Sequence, residues 1–297
     1  MIVAGLRDSL GIDYAEAFRR FAFLSFFAIN ALAGFAALGL RCSLAVSVAY
    51  VVAVAGAQLL LFHYWWFPWT NVECILFFLL VFAHLFLKGA RLSVSYAIIF
   101  LIWLFHKETA IFVPIWIMAR HLASIELAFH GSRGRSLVAF IAMFWRRTAL
   151  TFGLCVAMIA SSIFITHLIR HALFVSQHYG DAPSTILFQY WQIGRNVEFV
   201  FQSLYRVLSL DMREWTYGAI LFLWINAVVI AIFVTAARAD GKKRENLMSI
   251  SFLAAAYSIV AFAFVNLPEA DKFVAYIPMF MFAHLVIVRD DAAELGS

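Results

Sequence analysis

The chain is poor in charge and in the residues that interrupt apolar helices. Charged residues make up 13% of its 297 residues, and only 5 prolines are present. A soluble domain of this length needs more charge to cover its surface, so a soluble fold is excluded. The 3 cysteines are isolated and form no CxxC pair, which indicates no disulfide framework. Walker, GxGxxG, GxSxG and HExxH motifs are absent, so templates from soluble enzymes indicate no function.

Hydrophobic residues dominate what remains. They make up 65% of the chain, and the mean hydropathy is +0.90. This composition predicts an all-α, polytopic membrane helix bundle, with about eight or nine membrane segments of unequal length. Several segments are shorter than the ~20 residues that a perpendicular span needs. The apolar segments are 21–40, 44–62, 72–87, 92–105, 110–119, 148–168, 217–237, 247–266 and 273–288.

A charged tetrad, His106-Lys107-Glu108-Thr109, interrupts the apolar stretch 92–119. An ionisable side chain at membrane depth costs at least ~2.5–3.5 kcal/mol, so it is usually paired, faces a watery cavity or is functional. The stretch is either one long tilted helix or a broken pair of helices that turns at the tetrad. We favour the broken pair, because it brings every chemically unusual segment to one face of the membrane. It places residues 106–109 near the outer face.

The net charge of +5 is spread over short loops, which is typical of a membrane protein and indicates no nucleic-acid partner. Membrane lipids are the expected surroundings. The basic segments 120–147 and 238–246 are predicted to be cytoplasmic, because short cytoplasmic loops carry an excess of Lys and Arg. The segments 170–216 and 267–272 then lie on the extracytoplasmic face. The orientation of the first half depends on whether 92–119 is broken.

No internal repeat divides the chain, which predicts a single transmembrane helical domain over residues 1–297. Apolar residues recur at helical spacing within 1–20, which predicts a helix lying in the membrane interface. The extracytoplasmic loop 170–216 contains a second amphipathic helix, 196–208. The side chains of this helix expected to face the bundle are Phe201, Leu204 and Leu208.

The loop 63–71 is the densest aromatic cluster and includes Trp66 and Trp69. It is either an interfacial aromatic belt or a wall that binds sugar or lipid. Glu73 follows it and is either a residue at the end of a span that reaches water or a site carboxylate.

His167 and His171 are spaced i,i+4, which permits a metal site, but no clear third ligand follows except Asp181. Histidines at the membrane interface are the favoured interpretation, so no metal ligand is assigned.

Two segments resemble patterns in bacterial GT-C-type membrane glycosyltransferases and their relatives. The tetrad, with the apolar run that ends at Pro114, resembles a KET or RET followed by an apolar run and a proline. Residues 269–278, from Glu269 through Lys272 to Pro278, resemble the ExRY…P turn that opens a late span in the same group, with Lys where Arg is usual. The two segments occur in the expected order.

The resemblance implies a multi-pass protein of the bacterial cytoplasmic (inner) membrane. It also implies an active site on the extracytoplasmic face and a polyprenyl-phosphate-linked sugar as substrate. The catalytic carboxylate of that family lies in a first outer loop, which has no counterpart here. Either an N-terminal piece is absent from this chain, or the protein has no base of that kind. The residues expected to be catalytic are Glu108, Glu269 and Asp13. The residues expected to bind the lipid phosphate or the sugar are His106, Lys107, Lys272, Trp66 and Trp69.

Two functions from different classes remain open. The first is a GT-C-like glycosyltransferase of cell-envelope assembly, which needs no nucleotide site and leaves room for a divalent metal ion as cofactor. The second is a non-catalytic integral subunit that scaffolds a complex with other integral membrane subunits. A transporter is less favoured, because no pair of broken spans repeats across two halves of the chain.

Overall fold

The computed structural model describes residues 8–61, 68–105, 108–130, 137–173, 193–209, 216–264 and 270–294, whose regular structure is entirely helical. Two 3-10 helices are called the early 3-10 helix (Glu108–Ile111) and the late 3-10 helix (Ala270–Ala275). The α-helices are α1 (Tyr14–Gly39), α2 (Leu44–Leu61), α3 (Pro68–Phe86), α4 (Gly89–Leu104), α5 (Phe112–His130), α6 (Leu137–Leu173), α7 (Ile193–Leu208), α8 (Thr216–Arg238), α9 (Gly241–Phe264) and α10 (Tyr276–Glu294).

Within these ranges, 4 helices are long and apolar enough to cross a membrane. This finding confirms the predicted all-helical fold and is consistent with a membrane protein, whereas the predicted eight or nine membrane segments stay a prediction. The candidate spans are Ala15–Gly39, Thr148–Thr166, Tyr217–Arg238 and Gly241–Phe264. Shorter apolar helices accompany them at Leu44–Leu59, Thr70–Phe86, Gly89–Leu104, Thr109–Ile125 and Phe273–Val288.

The start of the first span differs from the prediction. Of the predicted interfacial helix 1–20, residues 1–7 lie outside the described residues, and the part from Tyr14 onward belongs to α1, which runs without interruption to Gly39. The chain turns just before it, where Gly11 adopts a left-handed φ of 62°. Asp13 then acts as the N-cap of α1: its side chain accepts a hydrogen bond from the Glu16 backbone N–H at 2.7 Å. A cap at this position starts the helix two turns before the apolar run.

This cap gives a first testable prediction. Asp13→Ala removes the acceptor and should lower the free energy of unfolding by about 1 kcal/mol, whereas Asp13→Asn should stay close to wild type, because Asn caps helices equally well. Thermal unfolding in detergent measures both variants. If Asp13→Ala is as stable as the parent protein, the side chain does not act as a cap.

The described chain forms two compact units, each taken here by itself. The first unit comprises Met1–Tyr96 and Ala270–Ser297. Its helices α1 and α3 run side by side in the same direction. Asn71 near the start of α3 hydrogen-bonds Ser25 in the first half of α1, and the ring of Phe86 at the end of α3 lies against Gly39. Helix α2 follows α1 after a short turn, packs against it and runs the opposite way.

Helix α10 shares the direction of α3. Its Phe282 ring lies 5.9 Å from the ring of Phe78, in the middle of α3. His284, further along α10, hydrogen-bonds Tyr50 near the start of α2. Because α2 is antiparallel to α3, the start of α2 lies beside the end of α3, so α10 proceeds towards that end. The late 3-10 helix, just before α10, packs against α2 and α3.

The second unit, Ala97–Glu269, is built around the contact of α5 with α9. The Phe112 ring of α5 lies 5.0 Å from the Tyr257 ring of α9, and Trp116 is fully buried one turn further along α5. Helix α8 packs on α9, and α6 packs on α5 and on the early 3-10 helix. The side chains of His121 and Thr148 hydrogen-bond at 3.0 Å and join α5 to α6.

Residues 92–119 do not form one helix. Helix α4 ends at Leu104, Phe105 lies in a turn, and the early 3-10 helix leads into α5. The described residues on the two sides of positions 106–107 are therefore not one regular α-helix. That the two halves are a pair that returns across the membrane, and the depth of the tetrad, stay predictions. The basic segment 120–147 contains parts of two helices, because α5 continues to His130 and α6 begins at Leu137.

The orientation predicted for residues 196–208 is wrong. Helix α7 covers them, but Phe201 and Leu208 are 69% and 85% exposed, and Leu204 is also exposed. Its fully buried residues are Asn196 and Ser203. The docking contact is polar, since the Asn196 side chain donates to the Phe262 carbonyl at 2.8 Å. Apolar periodicity identifies an amphipathic helix but does not determine which side its neighbours cover.

Candidate functional site

The interior of the first unit contains a group of buried polar side chains, which we call the polar cluster: Ser25, Gln58, Thr70, Asn71 and Glu73. Ser25 lies on α1 and Gln58 on the second half of α2, while the other three lie in the first two turns of α3. Because α2 is antiparallel to α1 and α3, its second half lies beside the starts of those helices. The three helices therefore bring these polar groups to the same end of the unit.

One hydrogen bond joins two of the helices at this end. The Asn71 amide nitrogen donates to the Ser25 hydroxyl at 2.8 Å, and that hydroxyl donates to the Ala22 carbonyl at 2.8 Å. Among the described residues, the Asn71 side-chain oxygen and the Gln58 side-chain oxygen are buried and accept no hydrogen bond. A buried acceptor left in this state costs about 1–3 kcal/mol. The hydrogen-bonding capacity of these two oxygens is therefore not used by the described residues.

Glu73 is the acidic member of the polar cluster. Its side chain is only 2% exposed, and Cys74 beside it is fully buried. Of the two alternatives for Glu73, a carboxylate that reaches water at the end of a span does not fit this burial. Its burial leaves the second alternative, a site carboxylate, as the prediction for Glu73.

The late 3-10 helix forms one wall of this end of the unit. It packs against both α2 and α3, and its Phe273 and Val274 are almost completely buried. The contact of Phe282 with Phe78 fixes the register between α10 and α3. Counting back along both helices at about 1.5 Å per residue places the late 3-10 helix beside the first turns of α3. The segment that resembles the late turn of the GT-C group therefore packs next to the helix end that carries Glu73.

The tetrad has a defined local structure at its second half. Glu108 opens the early 3-10 helix, and the Thr109 hydroxyl accepts a hydrogen bond from the indole N–H of Trp103 at 3.0 Å. Trp103 is fully buried in the last turn of α4. This bond ties the end of α4 to the segment after the break, while the early 3-10 helix packs on α6. The segment after the break is thus bonded to the buried Trp103 on one side and packed against α6 on the other.

The Trp103 bond gives a second prediction. Thr109→Val removes the acceptor while keeping the shape of the side chain, and we expect it to lower the free energy of unfolding by about 1–3 kcal/mol. Thr109→Ser keeps the hydroxyl and serves as the matched control. Thermal unfolding in detergent compares the two variants. Equal melting temperatures for both would show that this bond does not stabilise the break.

For most of the site residues predicted from the sequence, the position of the side chain is not described. His106, Lys107, Glu269 and Trp66 lie outside the described residues, as does most of the loop 63–71. The backbones of Glu108, Lys272 and Trp69 are helical, but their side chains are not among those described. Asp13 is exposed and caps α1. A shared cavity for Lys107, Glu108, Glu269 and Lys272 therefore stays a prediction.

The members of the polar cluster other than Glu73 were missed by sequence reasoning. Ser25, Gln58 and Asn71 each lie in an apolar segment or within one turn of its end, and such residues commonly form hydrogen bonds between helices. Their presence was a usable signal, but nothing in one sequence shows which of them meet.

Among the described residues, no group of three His, Cys, Asp or Glu side chains is arranged to hold a metal ion. Comparison with family models, with curated proteins and with solved structures finds no match to this chain.

Proposed function

We propose that this protein is a GT-C-like membrane glycosyltransferase that takes a sugar from a polyprenyl-phosphate donor on the extracytoplasmic face of the bacterial cytoplasmic membrane. One observation carries the proposal: a carboxylate, Glu73, is buried where the late 3-10 helix packs against the start of α3. The late segment is the part of the chain that resembles the turn that opens a late span in that group. The resemblance places the catalytic carboxylate of the group in a first outer loop, which has no counterpart here, and we assign that role to Glu73 instead.

The proposed reaction assigns each group a step. The hydroxyl oxygen of the acceptor attacks the anomeric carbon of the sugar, and its proton passes to the Glu73 carboxylate, which acts as general base. The bond between the anomeric carbon and the phosphate oxygen breaks, and polyprenyl phosphate leaves with the electron pair. Lys272 is the cation that we assign to the charge developing on the leaving phosphate. Lys107 keeps the phosphate-binding role that the resemblance predicts for it. The Asn71 and Gln58 side-chain oxygens accept from sugar hydroxyl groups.

The same proposal includes the orientation of the first half of the chain in the membrane. Helices α3 and α10 run in the same direction, so an odd number of crossings separates them if every apolar helix between them crosses the membrane. Helices α4, α5, α6, α8 and α9 supply five crossings when 92–119 is a broken pair, and only four when it is a single span. The shared direction supports the broken pair. With 238–246 cytoplasmic, the start of α3 then lies on the extracytoplasmic side, and the described helices amount to nine crossings.

Photolabelling tests the proposal without knowledge of the sugar. The protein is placed in nanodiscs with a polyprenyl phosphate that carries a diazirine on its prenyl chain, and labelled peptides are mapped by mass spectrometry. We expect labelling of α3 and of the late 3-10 helix. Excess polyprenyl phosphate should suppress it, whereas phosphatidic acid, an anionic lipid without a prenyl chain, should not. Labelling that follows the lipid-exposed faces alone, or equal competition by both lipids, would contradict the proposal and favour the non-catalytic subunit.

A further inference from the structure

Helix α7 is held to its neighbours by one narrow side. It packs on α8 and α9, with Asn196 and Ser203 fully buried and Val200 and Val207 half-buried between them. These four residues recur every three to four positions and so lie on one side of the helix. The Asn196 amide donates to the Phe262 carbonyl, two residues before the end of α9. The helix is therefore anchored at the end of a membrane span.

The remaining surface of α7 consists of an apolar flank and a polar flank. One flank is apolar and exposed, and we call it the apolar stripe: Val197, Phe201, Leu204, Tyr205 and Leu208. The opposite flank carries polar and charged side chains, namely Arg195, Glu198, Gln202 and Ser209, all of them exposed. At about 100° per residue the two flanks meet opposite the docking side, so the helix has three distinct sides. A helix in a solvated loop has no reason to keep such a stripe uncovered.

We propose that the apolar stripe of α7 lies in the lipid of the extracytoplasmic leaflet, at the boundary between headgroups and acyl chains. Its docking side then rests on α8 and α9, and its charged flank faces water. The proposed occupant is the membrane surface itself, and the inference does not depend on the reaction that we assign to the protein.

Three features of the structure favour lipid over a protein partner. First, the anchor at Phe262 sets the helix at the end of α9, where a membrane-crossing helix leaves the bilayer. Second, exposed apolar side chains of the spans occur at the same level: Ile259 in the last turns of α9 is 70% exposed, and Tyr217 at the start of α8 is also exposed. Third, the charged flank adjoins the apolar stripe directly, as an interfacial helix requires, whereas a site buried under a protein would carry few charges.

Spin labelling tests this placement. In a background without Cys42, Cys74 and Cys155, a nitroxide is attached through Phe201→Cys or through the matched control Gln202→Cys. Both positions are exposed, and they lie about 100° apart around the helix. The protein is reconstituted in nanodiscs of phosphatidylethanolamine and phosphatidylglycerol, and power saturation compares oxygen, which concentrates in lipid, with a water-soluble nickel chelate. We expect oxygen to dominate at position 201 and nickel to dominate at position 202, with at least a several-fold difference in their ratio.

Two results would overturn the proposal. Equal nickel accessibility at both positions places the helix in water, and loss of both reagents at position 201 places protein over the apolar stripe. If the cysteine-free protein does not fold, the natural chain is labelled in the same nanodiscs with a phospholipid that carries a diazirine near its glycerol backbone. Peptide mapping should then find label on Phe201, Leu204 or Leu208 and little on Glu198 or Gln202, and the reverse pattern rejects the proposal.

Discussion

Glu73→Gln is expected to reduce sugar transfer by about 10²–10⁴-fold, the contribution typical of a general base. Glutamine keeps the size of the side chain and its acceptor oxygen but cannot take the proton of an acceptor hydroxyl. Because Glu73 is buried in the polar cluster, the neutral side chain should be tolerated in the fold, and the amount of protein in the membrane should stay near wild type. Transfer is measured in membranes that contain the variant, together with the level of the associated glycan in cells.

Glu198→Gln is the matched control for Glu73→Gln. Glu198 is an exposed carboxylate on the charged flank of α7, where it accepts a hydrogen bond from Gln202 at 2.8 Å. Its neutralisation should leave transfer unchanged. If Glu73→Gln keeps full transfer at normal protein level, the carboxylate is structural and the proposed mechanism loses its base. Equal losses for both variants would show that the effect is not specific to the polar cluster.

Lys107→Met and Glu108→Gln should each abolish glycan transfer, with losses of about 10²-fold or more for a group that stabilises developing charge. Both charges occur in an otherwise apolar stretch, and placing them there is expensive without a watery cavity or a partner. The break of the helix at this point is stabilised by the Trp103 bond, so the fold does not depend on the two charges alone. The protein level in the membrane should therefore stay close to wild type.

The competing explanation for the tetrad is a closed ion pair that only locks two helices together. Under that explanation each single variant loses folded protein, and the surviving molecules keep full activity per molecule. Lys88→Met is a matched control, because Lys88 is an exposed lysine between α3 and α4 and its loss should have no effect. Activity per folded molecule, measured after quantifying the protein in the membrane, separates the two explanations.

The fold class was predictable because composition alone decides it. Few charges and long apolar runs leave helices in a membrane as the arrangement that satisfies the backbone. The break at the tetrad was also predictable, since Lys107 and Glu108 interrupt a run that is otherwise apolar. The start of α1 was not predicted correctly. The residues up to Arg20 have an amphipathic pattern, but the cap at Asp13 continues them into the span.

Which residues meet was much less predictable. The apolar stripe of α7 was visible in the sequence, but its orientation depends on the bond from Asn196 to the Phe262 carbonyl, 66 residues away in the chain. The polar cluster also depends on a contact between distant residues, because the hydrogen bond from Asn71 to Ser25 joins positions 46 residues apart in the chain. Such contacts are properties of tertiary packing, and a local pattern does not encode them. The proposed role of Glu73 depends on the packing of the late 3-10 helix against α3, which the sequence alone does not show.

The most direct measurement is the lipid content of cells that lack this protein. If the protein removes a sugar from a polyprenyl-phosphate carrier, its deletion should make the polyprenyl-phosphate-linked sugar accumulate, and mass spectrometry of lipid extracts detects this. The corresponding envelope glycan should disappear at the same time. The natural chain should reverse both changes, whereas Glu73→Gln, expressed at equal level, should reverse neither. Unchanged lipid-linked sugars after deletion, or full reversal by Glu73→Gln, would contradict the account.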